Sequence, residues 1–151
     1  MADRLPLLYE AETRSVIGAF FECYNHIGFG FVESICCSAL ERELISRGHN
    51  VAREVAIEVF YKGESVGWQR MDMVVDDKII VEVKATPILS PNARLQLRSY
   101  MKSTRLRVGL LLHFGPRPLF FREYSDANKF KLTDRPDRID RPNPKTLSVE
   151  A

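Results

Sequence analysis

The sequence predicts an α/β fold in which a central mixed β-sheet is flanked by helices. Three observations lead to that expectation. Apolar residues recur at helical spacing in three stretches, near residues 8–25, 32–47 and 91–103. Short segments rich in Val and Ile lie between them, separated by turn-forming residues. The run LRVGLLLHF at 106–114 is almost continuously apolar, as expected of a central strand covered on both faces.

Of the 151 residues, 45% are hydrophobic and 28% charged, an ordinary balance for a soluble globular protein. That length fits a single domain over residues 1–125. From 126 to 151 the chain is polar, with Pro136, Pro142 and Pro144 among charges, and is expected to be a flexible tail without chemistry. The N-terminal stretch lacks a basic region followed by an apolar one, and no apolar run reaches membrane-spanning length, so a cytoplasmic location is expected. Cys23, Cys36 and Cys37 form no C-x-x-C pair and are expected as buried, reduced thiols. A zinc site joining them to His26, His49 or His113 has no recognisable ligand spacing.

In chain order, Val16, Ile17, Phe20, Phe21 and Tyr24 form the apolar stripe of a first helix, which Gly28 and Gly30 interrupt. A second helix is expected from Val32 to Arg47, with Gly48 as its stop. EVAIEVFY at 54–61 alternates as a strand, KGE turns, and SVGW is expected as a short return in which Trp68, like Tyr61, packs. Residues 69–84, QRMDMVVDDKIIVEVK, read as a hairpin of two short strands around Asp76-Asp77-Lys78. Ser90 as cap and Pro91 as first residue open a third helix over 91–103, and LFFREY at 119–124 supplies a last strand after 106–114.

The hairpin is the unusual element, because strands this apolar should be buried and yet each carries an acid. Charges are costly to bury unless they are paired or bind a metal. Alternation places Glu82 and Lys84 on one face, where Asp72 can join them from the neighbouring strand. Two carboxylates beside an ammonium suit a hard divalent cation and the hydrolysis it promotes. Glu33 lies on the stripe of Cys37, Leu40 and Leu44; it is either an acid favoured at a helix N-terminus or a third cation ligand. Gln96 and Tyr100 share one face of the third helix, and Arg94, Arg98 and Lys102 form a row on another. That row could follow a phosphate backbone or be a solvated face. Residues 70–110 hold eight basic against four acidic residues, so the proposed acids sit in the most basic third of the chain, as suits a polyanionic substrate.

The hairpin, the Gln96-x-x-x-Tyr100 pair and the order of elements resemble the PD-(D/E)XK nuclease superfamily, and more narrowly its small GxxExxY family. The likeness runs from about Tyr9 to Tyr124 through Gly30-Phe31-Val32-Glu33, Tyr61-Lys62-Gly63, Arg70-Met71-Asp72 and Val81-Glu82-Val83-Lys84. It implies a restriction-endonuclease-like core and a nuclease acting on DNA rather than RNA. Asp72, Glu82, the Val83 carbonyl and Glu33 would then bind Mg²⁺ or Mn²⁺, Lys84 would position the attacking water, and Gln96 would support the site. Two positions depart from the pattern: Cys36 stands where the family has Tyr, and Met71 where the superfamily label has Pro. Two other readings compete with the nuclease. One is a nuclease-fold module that binds nucleic acid or a partner protein with little turnover; the other is a surface ion network of Asp72, Glu82 and Lys84. A homodimer would suit the cutting of two strands.

Overall fold

In the computed structural model, which describes residues 7–125, each helical period forms a helix: α1 (Glu10–Ile27), α2 (Glu33–Ser46) and α3 (Asn92–Thr104). Helix α1 buries Val16, Ile17, Phe20 and Cys23 and ends where the Gly28 amide donates to the Tyr24 carbonyl at 2.8 Å, with Gly28 at φ 64°. Ser90 caps α3 as expected, its Oγ accepting the Asn92 amide at 3.2 Å. The expected tail at 126–151 lies outside the described residues.

The strands are β1 (Val51–Tyr61), β2 (Glu64–Val75), β3 (Ile79–Lys84), β4 (Val108–Phe114) and β5 (Pro118–Tyr124). They form one sheet in the order β1-β2-β3-β4-β5. Strands β3 and β4 pair in parallel with α3 in the connection between them, and the other neighbours are antiparallel. Helices α1 and α2 pack on one face, over Val81, Val83, Leu110 and Leu112, while α3 packs on the other with Ile80 and Leu111. Strand β4 is buried along its whole length, the position its apolar run predicts. Gly109 lets α3 come close to the sheet, since a Cβ there would stand 2.8 Å from Leu97 Cδ1.

Two expectations need correction. SVGW is no short return but the start of the 12-residue β2, so β2 serves two hairpins, one turning at Lys62-Gly63 and one at 76–78. Tyr61 and Trp68 do not pack: both are exposed on the outer part of the β1–β2 hairpin, which runs beyond the cover of the helices.

Strands β1 and β2 keep one register from Val51↔Val75 to Val59↔Gly67, except that Glu54 and Asp72 do not pair. Glu54 adopts φ 51°, a left-handed conformation costly for a non-glycine residue. The faces also exchange there. Met73 packs under α1 and α2, whereas Met71, two residues away, packs with α3. In a regular strand those two would share a face. Asp72 is thus the residue about which β2 rotates.

A hydrogen-bonded chain fixes the β2–β3 turn. The Ser15 hydroxyl lies 2.7 Å from His49 Nε2, and His49 Nδ1 lies 2.6 Å from Asp76 Oδ2. The Asn50 amide donates to Asp76 Oδ1 at 2.9 Å. Burial pushes the Asp76 carboxyl up, but the bonds from His49 and the Asn50 amide outweigh it and leave the group below the usual carboxylate range. Its ionised form therefore contributes stability above the ordinary carboxylate pKa, lost as pH falls through the lowered one. Asp76→Ala should cost about 1–3 kcal/mol in urea denaturation at neutral pH, since it strands His49 and the Asn50 amide. The gap from wild type should narrow in acid.

Candidate active site

The site is built where the β2–β3 ladder stops. Pairing ends at Met73↔Val81. One residue further along β2 and two along β3, the Val83 amide donates to Asp72 Oδ2 at 2.8 Å, so a side-chain carboxylate takes the place of a backbone carbonyl. That bond orients Asp72 and leaves its other oxygen for a further partner. Glu82, next to Val81 but pointing to the opposite, α3 face, is 2% exposed, and its Oε2 is buried with no hydrogen-bond partner.

Glu33 arrives from the opposite face. It is the first residue of α2 and partly exposed. Through the break in the sheet it meets the other two acids: oxygens of Glu33, Asp72 and Glu82 all lie within 4.8 Å of one another. An unbroken ladder would keep the two faces apart. Glu33 is thus both the acid at the N-terminus of α2 and a neighbour of Asp72 and Glu82.

The electrostatics are those of a crowded acidic site. Burial first, and then the hydrogen bond and charge of Asp72, push the Glu82 carboxyl far above the carboxylate range, with Lys84 pulling it partly back. Burial and Asp72 likewise raise Glu33. Lys84 shares the face of Glu82, and its Nζ donates to Gln96 Oε1 at 3.1 Å. Gln96 therefore acts on the lysine rather than on the acids. Tyr100, one turn further along α3, is buried against Glu82; burial and the charges of Glu82 and Asp72 push its phenol up. Three carboxylates with one orphaned buried oxygen fit a hard divalent cation, which takes oxygen ligands and would remove the mutual repulsion.

Other side chains fall into place around this cluster. Cys36 is buried with its Sγ 3.9 Å from the Phe31 carbonyl, and Cys37 is a neutral thiol raised by burial and by Asp72. Arg94 and Arg98 are not merely a solvated row. Their Nε atoms bind the two oxygens of Glu123 on β5 at 2.6 and 3.1 Å, and Arg94 also stacks on Phe121 with its guanidinium carbon 4.8 Å from the ring centroid. Lys102 is exposed at the end of the row. Sequence reasoning missed Glu123, whose partners lie on α3, 25 and 29 residues earlier in the chain. Because both arginines are about half exposed, Glu123→Gln should weaken folding by only about 1 kcal/mol in denaturant titrations.

A family model of the PD-(D/E)XK nuclease superfamily matches residues 10–123. The chain belongs to the PD-(D/E)XK nuclease superfamily. No curated protein matches it significantly. Among solved structures, the crystal structure of SSO0001 is similar in fold, with 20% sequence identity, a TM-score of 0.52 and 81% of this chain covered. This chain spans 63% of that one. The mixed sheet flanked by helices is the restriction-endonuclease-like fold of the superfamily, whose nucleases use divalent metals. Among the described residues, no helix is long and apolar enough to cross a membrane. The D…E-x-K residues that carry the superfamily resemblance are those gathered at the break in the sheet.

Proposed function

We propose that this chain is a metal-dependent nuclease that hydrolyses phosphodiester bonds in DNA, with Asp72, Glu82, Glu33 and the Val83 carbonyl as ligands of Mg²⁺ or Mn²⁺. The observation that carries the proposal is the meeting of three carboxylates from two faces of the sheet beside a lysine, with one buried oxygen unsatisfied. When bound, the cation supplies positive charge to the phosphate and lowers the pKa of water.

The chain's own residues do the rest. The Val83 amide fixes Asp72, and Gln96 fixes the Lys84 ammonium, whose role is to orient the water and stabilise charge developing on the phosphate. Tyr100 closes the inner wall behind Glu82. The guanidinium edges of Arg94 and Arg98 turned away from Glu123, with Lys102, serve as secondary phosphate contacts. Gly30-Phe31-Val32-Glu33 supports the narrower GxxExxY assignment, with Cys36 as its departure. Repair, recombination or defence is the setting we assign, and a homodimer is the form suited to cutting both strands.

The test is a cleavage assay on labelled DNA with Mg²⁺, Mn²⁺ or EDTA. Wild type should cut only with a cation, and Lys84→Ala should not cut. Gln96→Ala should lose roughly 10- to 100-fold in rate, as when a residue supporting a site is removed. Equal cutting by Lys84→Ala and wild type would refute the assignment.

A further inference from the structure

Large apolar side chains are exposed on the segments of chain next to the acidic cluster. Phe31 stands two residues before Glu33 and is 45% exposed, with Phe29 and Val32 exposed in the same connection. Ile88, four residues past Lys84, is 83% exposed. Its loop is held in place by the His113 ring, which donates from Nε2 to the Thr86 carbonyl at 2.6 Å. Trp68 is 61% exposed on β2, four residues before Asp72. Gln69 faces α3, where it binds the Ser99 hydroxyl at 3.2 Å, so Trp68 and the exposed Arg70 face the opposite side, that of α2 and Glu33.

Intact duplex presents sugar and phosphate to a protein surface, and the side chains that meet it are cationic or hydrogen-bonding. Exposed phenylalanine, isoleucine and valine offer such a surface nothing and would lose nothing by meeting the π-faces of unpaired bases. Stacking on aromatic side chains beside a few cations is how proteins hold single strands without reading sequence. Arg70 on the Trp68 face and Lys84 within the site supply those cations.

Resting on the nuclease reading, we infer that the substrate is a strand with unpaired bases, held by stacking on Phe31 and Trp68 so that its backbone passes over Glu33, Asp72 and Glu82. Trp68 is the only tryptophan of the chain, so its emission reports the contact directly.

The experiment titrates the full chain carrying Asp72→Asn with a short oligo(dT) and with a blunt duplex of equal length, at one salt concentration in EDTA. Oligo(dT) should quench Trp68 and bind at least tenfold more tightly than duplex. Adding Phe31→Ala should weaken oligo(dT) roughly tenfold, and Phe31→Tyr should restore it. Equal affinity for duplex, or an emission unchanged by oligo(dT), would overturn the inference, as would no binding of either. Cleavage by wild type separates the two ideas. Cutting of intact duplex alone would sink the single-strand inference and keep the nuclease, while quenching by oligo(dT) without cutting in Mg²⁺ or Mn²⁺ would keep the stacking surface and sink the nuclease.

Discussion

Asp72→Asn is expected to reduce DNA cleavage roughly a thousandfold or more while leaving the fold intact. The substitution removes a charge from the centre of the acidic cluster, where Asp72 stands between Glu33 and Glu82. It keeps an oxygen able to accept the Val83 amide, the bond that ends the β2–β3 ladder. Asp72→Ala gives a less clear result, because it also strands that amide at a cost of about 1–3 kcal/mol. A far-UV spectrum and melting temperature close to wild type, with cleavage gone, are the expected pair of readings. A cleavage rate within a few-fold of wild type would place the chemistry elsewhere.

The second large effect is a dependence of metal-free stability on pH that runs opposite to that of most carboxylates. Burial and the neighbouring Asp72 raise Glu82, so at neutral pH the folded chain holds a proton that the unfolded chain has released. Stability is then highest near the ordinary carboxylate range and falls as pH rises toward the raised value, by up to about 1.4 kcal/mol per pH unit for one group. A divalent cation replaces that proton. The rise in melting temperature on adding Mg²⁺ should accordingly be larger at pH 8 than at pH 6. Glu82→Gln, which carries no proton to lose, should flatten the metal-free profile and exceed wild type at pH 8 by roughly 1–3 kcal/mol, with cleavage abolished. A Mg²⁺ increment that shrinks from pH 6 to pH 8 would contradict this account.

Much of the scaffold is legible in the sequence because its signals are local. The stripe Val16, Ile17, Phe20, the cap Ser90 and the apolar run of β4 each state their element within a few residues. The acids of the site also stand out, since Asp72 and Glu82 interrupt apolar strands. What stays hidden depends on pairs far apart in the chain. Nothing in Glu54 or Asp72 announces that they leave the ladder together, though this break is what lets Glu33 reach across the sheet. Arg94 and Arg98 read as a free cationic row until Glu123 on β5 stands beside them. Trp68 and Tyr61 resemble packing residues by type, and only the length of the β1–β2 hairpin shows that no helix covers them.

The central claim is that one cation is held jointly by acids from both faces of the sheet at the point where β2 and β3 part. The most direct measurement is an anomalous difference map from crystals grown with Mn²⁺. The account predicts a peak within coordination distance of Glu33, Asp72 and Glu82 together. A peak that leaves Glu33 out, or its absence at a pH where the acids are ionised, would contradict it.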